Sequence, residues 1–311
     1  MPITSWSSIS AFLIAGPTAS GKSALAINLA ERFNGCVINA DSLQVYRDLT
    51  IITARPDQTD LARAPHELFG HIDGHVNYSV GLWLKDVAAC LSEMRARGQM
   101  PILIGGTGLY FKALTQGISN IPPVPEAVRE ALRAQCEGLS APELHQRLAQ
   151  ADPAMAQRLR PSDSQRLMRA LEVKAATGRS LLEFQGQRSS PLLDIDQCVA
   201  VFLAPERAEL NARINARFDQ MIAQGALAEV EQLAARGLDP ALPVMRAHGV
   251  PGLIAYLKGQ ASQAEAIEKG KRDTRHYAKR QFTFIRHQLP HFQWMPPLGA
   301  AAQIEQLLPP V

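Results

Sequence analysis

Apolar residues fall into two textures along the chain. Over the first 117 residues, short continuous apolar runs alternate with segments of helical period. Ile9–Ala15 (ISAFLIA), Cys36–Ala40 (CVINA) and Pro101–Ile104 (PILI) have strand length. Their continuity, in place of strict alternation, predicts strands covered on both faces. Ala24–Phe33 and Ser79–Arg97 read as helices. In the second, Trp83, Val87, Cys90, Leu91 and Met94 form the apolar face and Gly98 supplies the stop. Leu43–Tyr46 and Leu49–Thr53 follow the second run, Arg55-Pro56-Asp57 breaks the pattern, and Leu61–His75 reads as loop. Repeated βα units predict an α/β fold of the P-loop NTPase-like kind, a parallel sheet with helices on both faces. Ligands then bind at the carboxyl ends of the strands.

The texture changes at Ile118. Pro122, Pro123 and Pro125 read as a linker, followed by amphipathic helices at Glu126–Gln135, Ala141–Gln150, Ala154–Leu159 and Asp163–Thr177 with no strand among them. Ser162 or Asp163 can cap the last, and Gly178 ends it. Strand character returns at Cys198–Leu203 (CVAVFL). Helices are expected at Glu206–Gln224 and Ala226–Arg236 and, after a loop around Gly249-Val250-Pro251-Gly252, at Ala264–Gln288. Residues from Pro290 read as a tail. The expected organisation is a core of residues 1–117 and 198–311, interrupted by an all-helical subdomain at 118–197.

Composition narrows this picture without naming a function. Of 311 residues 46% are apolar, enough for a substantial core, and the net charge of +3 leaves any nucleic-acid surface to local clustering. Cys36, Cys90, Cys136 and Cys198 are far apart with no C-x-x-C pair. That spacing argues against structural zinc or a disulfide framework and fits a reducing cytosol. The opening MPITSWSS has no basic region typical of a leader, and no apolar run is long enough to span a membrane. A monomeric cytoplasmic protein is the expectation.

The chemistry concentrates at three strand ends. Gly16-Pro17-Thr18-Ala19-Ser20-Gly21-Lys22-Ser23 matches the phosphate-loop pattern G-x-x-x-x-G-K-[ST] between a strand and a helix. Such a loop aims backbone N–H groups at a di- or triphosphate; Lys22 supplies a positive charge and Ser23 a hydroxyl for Mg²⁺. Asp41 ends the second strand, where a carboxylate can hold Mg²⁺ through water or act as general base. Thr107 lies in Gly105-Gly106-Thr107-Gly108, where its hydroxyl can donate to a diphosphate oxygen or a leaving group. That third strand ends without the acidic residue an ATP hydrolase usually carries there. Basic residues cluster at Arg166 and Arg169, at Arg213 and Arg217, and at Arg272, Arg275, Lys279 and Arg286. The last four fall within an arc of roughly 60° on a helix, with Tyr277 and Phe284 on another side. Phosphate contacts need such Lys and Arg groups, which points to a polyanionic partner.

Taken together, Gly16–Ser23, Asp41–Tyr46 (DSLQVY), Gly105–Tyr110 (GGTGLY), Gln165–Val173 (QRLMRALEV), Arg217–Met221 (RFDQM) and Lys279-Arg280-Gln281 resemble the bacterial tRNA dimethylallyltransferase (tRNA isopentenyltransferase) family. The resemblance implies transfer of the dimethylallyl group of dimethylallyl diphosphate to N6 of the adenosine 3′-adjacent to the anticodon, in tRNAs reading codons that begin with U. Mg²⁺ would assist. It further implies that Gly16–Ser23 holds the diphosphate, that Asp41 removes the amine proton, and that Thr107 and Arg217 stabilise the leaving group. Asp41, Ser42, Leu43 and Gln44 would grip the target base. Arg129, the segment Gln165, Arg166, Leu167, Met168 and Arg169, the stretch Arg246, His248 and Gly249, and Lys279, Arg280, Gln281 and Arg286 would touch the tRNA. The chain departs from the family in having Gly249-Val250-Pro251 where Gly-Tyr-Arg or Gly-Tyr-Lys is common, and Phe284 near a common Trp. Two other readings of the phosphate loop are a small-molecule kinase with a helical lid and an isopentenyltransferase acting on free adenine nucleotide. Neither needs separated basic clusters.

Overall fold

The apolar runs assemble into one parallel sheet. In the computed structural model, which describes residues 9–186 and 188–308, the strands are β1 (Ala11–Ala15), β2 (Gly35–Asn39), β3 (His66–Glu67), β4 (Met100–Gly105), β5 (Cys198–Leu203) and β6 (Gln293–Met295). Their order is β3-β2-β4-β1-β5-β6, and every pairing is parallel. β1 lies inside, with Leu13 opposite Leu103 of β4 and Ala200 of β5. The reading of residues 1–8 as no leader falls outside the described residues.

Successive residues of each strand feed opposite cores, the period-two consequence of the pleat. Phe12, Ile14, Val37, Ile102 and Val201 pack on one face with α1 (Lys22–Phe33) and α14 (Ala300–Leu307). Leu13, Cys36, Ile38, Leu103 and Phe202 pack on the other. That second face is covered by α3 (Val80–Arg97), α4 (Gly108–Gln116), α10 (Arg207–Ala223), α11 (Ala226–Ala235), α12 (Val250–Leu257) and α13 (Gln263–Gln288). The α/β fold with helices on both faces is therefore present.

Three sequence expectations are corrected. The loop at Leu61–His75 contains the end of α2 (Gln58–Arg63) and the edge strand β3. Gly249–Gly252 is the start of α12: Gly249 caps it at φ 96 and Pro251 sits in its first turn, where a missing N–H costs nothing. The tail from Pro290 folds back as β6 and α14, because β5 would otherwise leave an unpaired edge. α4 begins directly after the Gly-rich β4 end.

The chain divides into two compact units, residues 1–115 with 191–311 and residues 116–190. The sequence put the second boundary at 197. Residues from Pro191 belong to the first unit because Leu192 and Leu193 donate their N–H groups to Leu114 O at 2.9 and 3.2 Å. The helical unit holds α5 (Glu126–Gln135), α6 (Ala141–Ala151), α7 (Pro153–Ala156), α8 (Ser164–Thr177) and α9 (Leu181–Phe184) around its own core of Leu144, Leu148, Leu167 and Leu171.

Candidate active site

β1 ends at Ala15 and the chain turns at once through Gly16–Ser23 into α1. At Gly16 an added Cβ would stand 2.7 Å from Ser20 Oγ and 3.3 Å from Leu203 Cβ, so only glycine lets the loop close over β5. Gly21 caps α1 at φ 87, and no side chain bonds the first-turn N–H groups, which stay available to an anion. Ser20 Oγ is buried inside the loop and receives no hydrogen bond from the described residues. Lys22 folds back to donate to Pro17 O at 3.1 Å. Burial lowers its pKa from 10.5 to about 8, with the Asp41 carboxylate opposing that shift and the Arg217 charge adding to it. Lys22 thus feels both Asp41 and Arg217.

Ser23 is exposed in the first turn of α1. No group of three or more His, Cys, Asp or Glu among the described residues can hold a metal ion. A hydroxyl and a carboxylate are hard oxygen donors, and Mg²⁺ takes few protein ligands when phosphate oxygens and water complete its shell. The donors present fit that ion bound together with a diphosphate.

Asp41 is held by its predecessor on the strand. The buried Asn39 amide accepts the Asp41 N–H at 2.9 Å and donates to Asp41 O at 2.9 Å and Leu68 O at 3.0 Å. Trp83 Nε1 in turn donates to Asn39 O. Asp41 Oδ1 accepts the Leu43 N–H at 3.0 Å, and Oδ2 faces Gly106, where a Cβ would be 3.3 Å away. Thr107 binds the same turn from β4: its N–H donates to Ala40 O, and its hydroxyl accepts from Ser42 N–H at 2.9 Å and donates to Ser42 Oγ at 3.2 Å. The three strand ends singled out in the sequence therefore meet.

Helices α10 and α13 complete a cleft of about 680 Å³, open mouth included, lined by Thr18, Asp41, Leu43, Ile52, Thr53, Ile214, Arg217, Phe218, Met221, Ala247, His248, Thr274, Tyr277 and Gln281. Burial holds the Arg217 pKa below its ordinary value. Gln281 is buried and donates to Gly106 O at 2.8 Å. Tyr277, which the sequence set aside, lines the cleft with Gln281. Burial, then the Asp41 charge, push its pKa far up and keep it protonated. His248 packs on the Tyr277 ring at 4.5 Å between centroids, and burial, followed by Arg280, lowers its pKa. The signal for the missed residues was periodicity: Ile214, Phe218 and Met221 lie at i−3, i+1 and i+4 from the predicted Arg217, and Thr274 and Tyr277 at i−7 and i−4 from the predicted Gln281.

Other predicted site residues lie elsewhere. Arg213 is exposed and pairs with Glu209 at 2.5 Å, unlike Arg217 one turn on. Arg275 bonds Asn215. Arg246 is exposed, as are Lys279, Arg280 over the Tyr277 ring, and Arg286 over the Trp294 ring. Gly249 is buried, and a Cβ there would touch Phe218 at 3.0 Å. Gln44 Nε2 donates to Thr53 O and Ala54 O. In the helical unit Gln165 and Arg166 are exposed and Met168 is half-buried. Arg129 and Arg169 flank the buried Glu172 at 3.9 and 3.7 Å. Leu167, expected at the RNA surface, is fully buried in that unit's core, so its side chain packs instead of contacting RNA. Val250, at the departure from the family pattern, is likewise core, while Pro251 is exposed.

Residues 44–288 match the family model described as IPP transferase, and residues 9–67 match one described as isopentenyl transferase. The chain belongs to the IPP transferase family. A curated tRNA dimethylallyltransferase of Beijerinckia indica is 64% identical over 92% of this chain and 95% of its own length. The solved tRNA isopentenylpyrophosphate transferase of Bacillus halodurans is 32% identical, with TM-score 0.66 over 95% of this chain and 97% of that one. A solved eukaryotic dimethylallyltransferase acting on tRNA is 27% identical, with TM-score 0.78 over 96% and 77% of the respective chains. Among the described residues no helix of this IPP transferase family member is long and apolar enough to cross a membrane.

Proposed function

We propose that this protein transfers the dimethylallyl group of dimethylallyl diphosphate to N6 of the adenosine 3′-adjacent to the anticodon of tRNA. The observation that carries this reading is the make-up of the cleft. Cationic Lys22, which feels both the Asp41 carboxylate and the Arg217 charge, stands with them beside an apolar wall of Leu43, Ile214, Phe218 and Met221. A diphosphate on a short branched alkyl chain needs both halves. The loop N–H groups, Lys22 and Arg217 hold the diphosphate and stabilise the charge that grows on it. Ser23 and the diphosphate oxygens would hold Mg²⁺, which when bound supplies further positive charge to the leaving group.

The amine of adenine is a weak nucleophile. As its nitrogen bonds to C1 of the allyl group, the C1–O bond breaks and diphosphate departs with that electron pair. Asp41 takes the N–H proton, so the product is a neutral secondary amine. The Thr107 hydroxyl is engaged with Ser42, so we assign it the task of fixing the Asp41–Ser42 turn beside the leaving group. The base must leave the anticodon stack to reach the cleft. The exposed basic residues of α13 and of the helical unit are assigned to the tRNA backbone, and the protein to the cytoplasm as a monomer.

The test incubates purified protein with Mg²⁺, labelled dimethylallyl diphosphate and either unmodified tRNA or AMP. Label in tRNA alone supports the reading. Label in AMP moves the acceptor to free nucleotide, and label in neither, with rapid ATP turnover in a parallel incubation that supplies ATP, replaces the reading with a kinase.

A further inference from the structure

Helix α11 contributes no residue to the cleft, yet it grips one wall of it at both ends. Glu229 Oε1 accepts the N–H groups of Thr50 and Ile51 at 2.6 and 2.8 Å, and Oε2 accepts that of Ile52 at 2.9 Å. Three successive backbone donors converge on one carboxylate that is remote in sequence, an anion nest filled by the protein itself. At the far end Arg236 pairs with Asp48 and, at 2.7 Å, with Asp73, while Asp48 also accepts the Gly74 N–H at 2.8 Å. Arg55 feels the charges of both Glu229 and Asp48 and donates to Thr50 Oγ1.

The segment so held is a poor structure by itself. Thr50 is a bend and residues 51–54 are turn, and Ala54 sits at φ 52, which a residue with a side chain seldom adopts. Yet this turn carries Ile52 and Thr53 into the cleft. Its Thr53 and Ala54 carbonyls take both N–H bonds of the Gln44 amide, each at 2.9 Å, which leaves Gln44 Oε1 as the end able to accept from a base.

We propose that Glu229 is a positioning residue for the acceptor side of the cleft: its carboxylate holds the 50–54 turn and thereby sets Ile52, Thr53 and Gln44. The inference rests on the prenyl-transfer reading for its consequence, though not for its geometry. The diphosphate side, built on β1 and α1, is independent of this brace. Losing it therefore affects the two substrates unequally.

The test compares Glu229→Ala and Glu229→Gln with wild type and with Glu231→Ala, an exposed position on the same helix. Steady-state kinetics vary the RNA stem-loop and the prenyl diphosphate in turn, and amide hydrogen exchange follows Thr50, Ile51 and Ile52. Glu229→Ala is expected to raise KM for RNA about tenfold or more, with KM for the diphosphate within about twofold of wild type. Glu229→Gln keeps one acceptor oxygen and is expected to fall between the two. Exchange at the three amides should quicken while that of the phosphate loop stays unchanged, and Glu231→Ala should match wild type. An unchanged RNA KM overturns the proposal, as does a parallel change in both constants accompanied by a lowered melting temperature. If wild type transfers no label to RNA, the prenyl-transfer reading fails, and unchanged exchange at Thr50–Ile52 separately overturns the brace.

Discussion

Asp41→Asn isolates the proton transfer. The amide is the same size as the carboxylate, and its oxygen still accepts the Leu43 N–H that Asp41 Oδ1 accepts at 3.0 Å. The Asn39 clamp acts on the Asp41 backbone and is untouched. Geometry survives while basicity is lost, so the expected cost is that of a general base, about 10²–10⁴ in rate or about 2.7–5.5 kcal/mol. The substitution has one side effect: Asp41 is the charge that raises the Lys22 pKa, so its removal drives that value below about 8. Rates should therefore be compared near pH 6.5, where Lys22 keeps its proton in both proteins. The assay is single-turnover transfer of labelled dimethylallyl to an RNA stem-loop, with RNA affinity measured in parallel by filter binding. We expect RNA affinity within about threefold of wild type and the full rate loss in the bond-forming step. A rate within about threefold of wild type, or an affinity loss as large as the rate loss, removes Asp41 as the base.

Three further outcomes are expected. The folded Lys22 pKa is lowered from 10.5 to about 8, and a bound diphosphate favours the protonated form. Affinity for inorganic pyrophosphate should then be full below pH 8 and fall as pH rises to 9, by about tenfold per unit at most; titration calorimetry of wild type and Lys22→Met reads this, and a flat wild-type profile contradicts it. Gly270→Ala puts a Cβ 2.2 Å from Phe218 Cζ, and Gly249 approaches the same ring edge, so the ring, which lines the cleft, has to move. A loss of about 1–3 kcal/mol in stability and a raised KM for the prenyl diphosphate are expected, with both relieved by adding Phe218→Leu; no relief in the double variant refutes the packing argument. Replacing Arg166 and Arg169 by Ala should weaken RNA binding and flatten its log–log salt dependence by about 0.7–0.9 for each phosphate no longer neutralised. Arg169 is paired with Glu172 at 3.7 Å and Arg166 with Asp163 at 3.5 Å, so each single variant should show part of the change, and an unaltered slope in the double variant places the RNA elsewhere.

The parts legible in the sequence were those whose signal is local. Continuous apolar runs marked β1, β2, β4 and β5, because a strand covered on both faces has no polar position to hide it. Fixed spacing marked Gly16–Ser23. What escaped depended on partners distant in the chain. β6 is three residues long, too short to show a period, and exists because β5 offers an edge. Gly249-Val250-Pro251-Gly252 reads as a loop by composition, although proline in a first helical turn and glycine at its cap are helix-starting features. On α13 the charges drew the eye to Arg272, Arg275, Lys279 and Arg286, whereas the cleft takes the uncharged stripe of Thr274, Tyr277 and Gln281. Leu167 sat inside a basic segment and shared its assignment, yet its burial follows the ordinary period of α8.

The ends of β2 and β4 explain why a phosphate loop here serves alkyl transfer. In an ATP hydrolase the strand corresponding to β4 usually ends in a carboxylate. In this chain a Cβ at Gly105 would lie 2.0 Å from Ala40 O, and one at Gly106 2.0 Å from Gln281 Nε2. Backbone bars any side chain at Gly105, and one at Gly106 would have to displace Gln281, so the carboxylate of the cleft comes from the end of β2. The same closeness lets Thr107 reach Ser42 and Gln281 reach Gly106, which fixes Asp41 against the turn that faces it. Asp41 then stands beside an apolar wall, with Ser23 in the first turn of α1, where we propose that the ion is held. A base beside an alkyl pocket suits removal of a proton from an amine nucleophile. It would do little for water attacking a phosphate whose own metal-binding acid is missing. Substituting Gly105 should thus abolish transfer without creating ATP hydrolysis, because it breaks the β2–β4 approach on which the position of Asp41 depends.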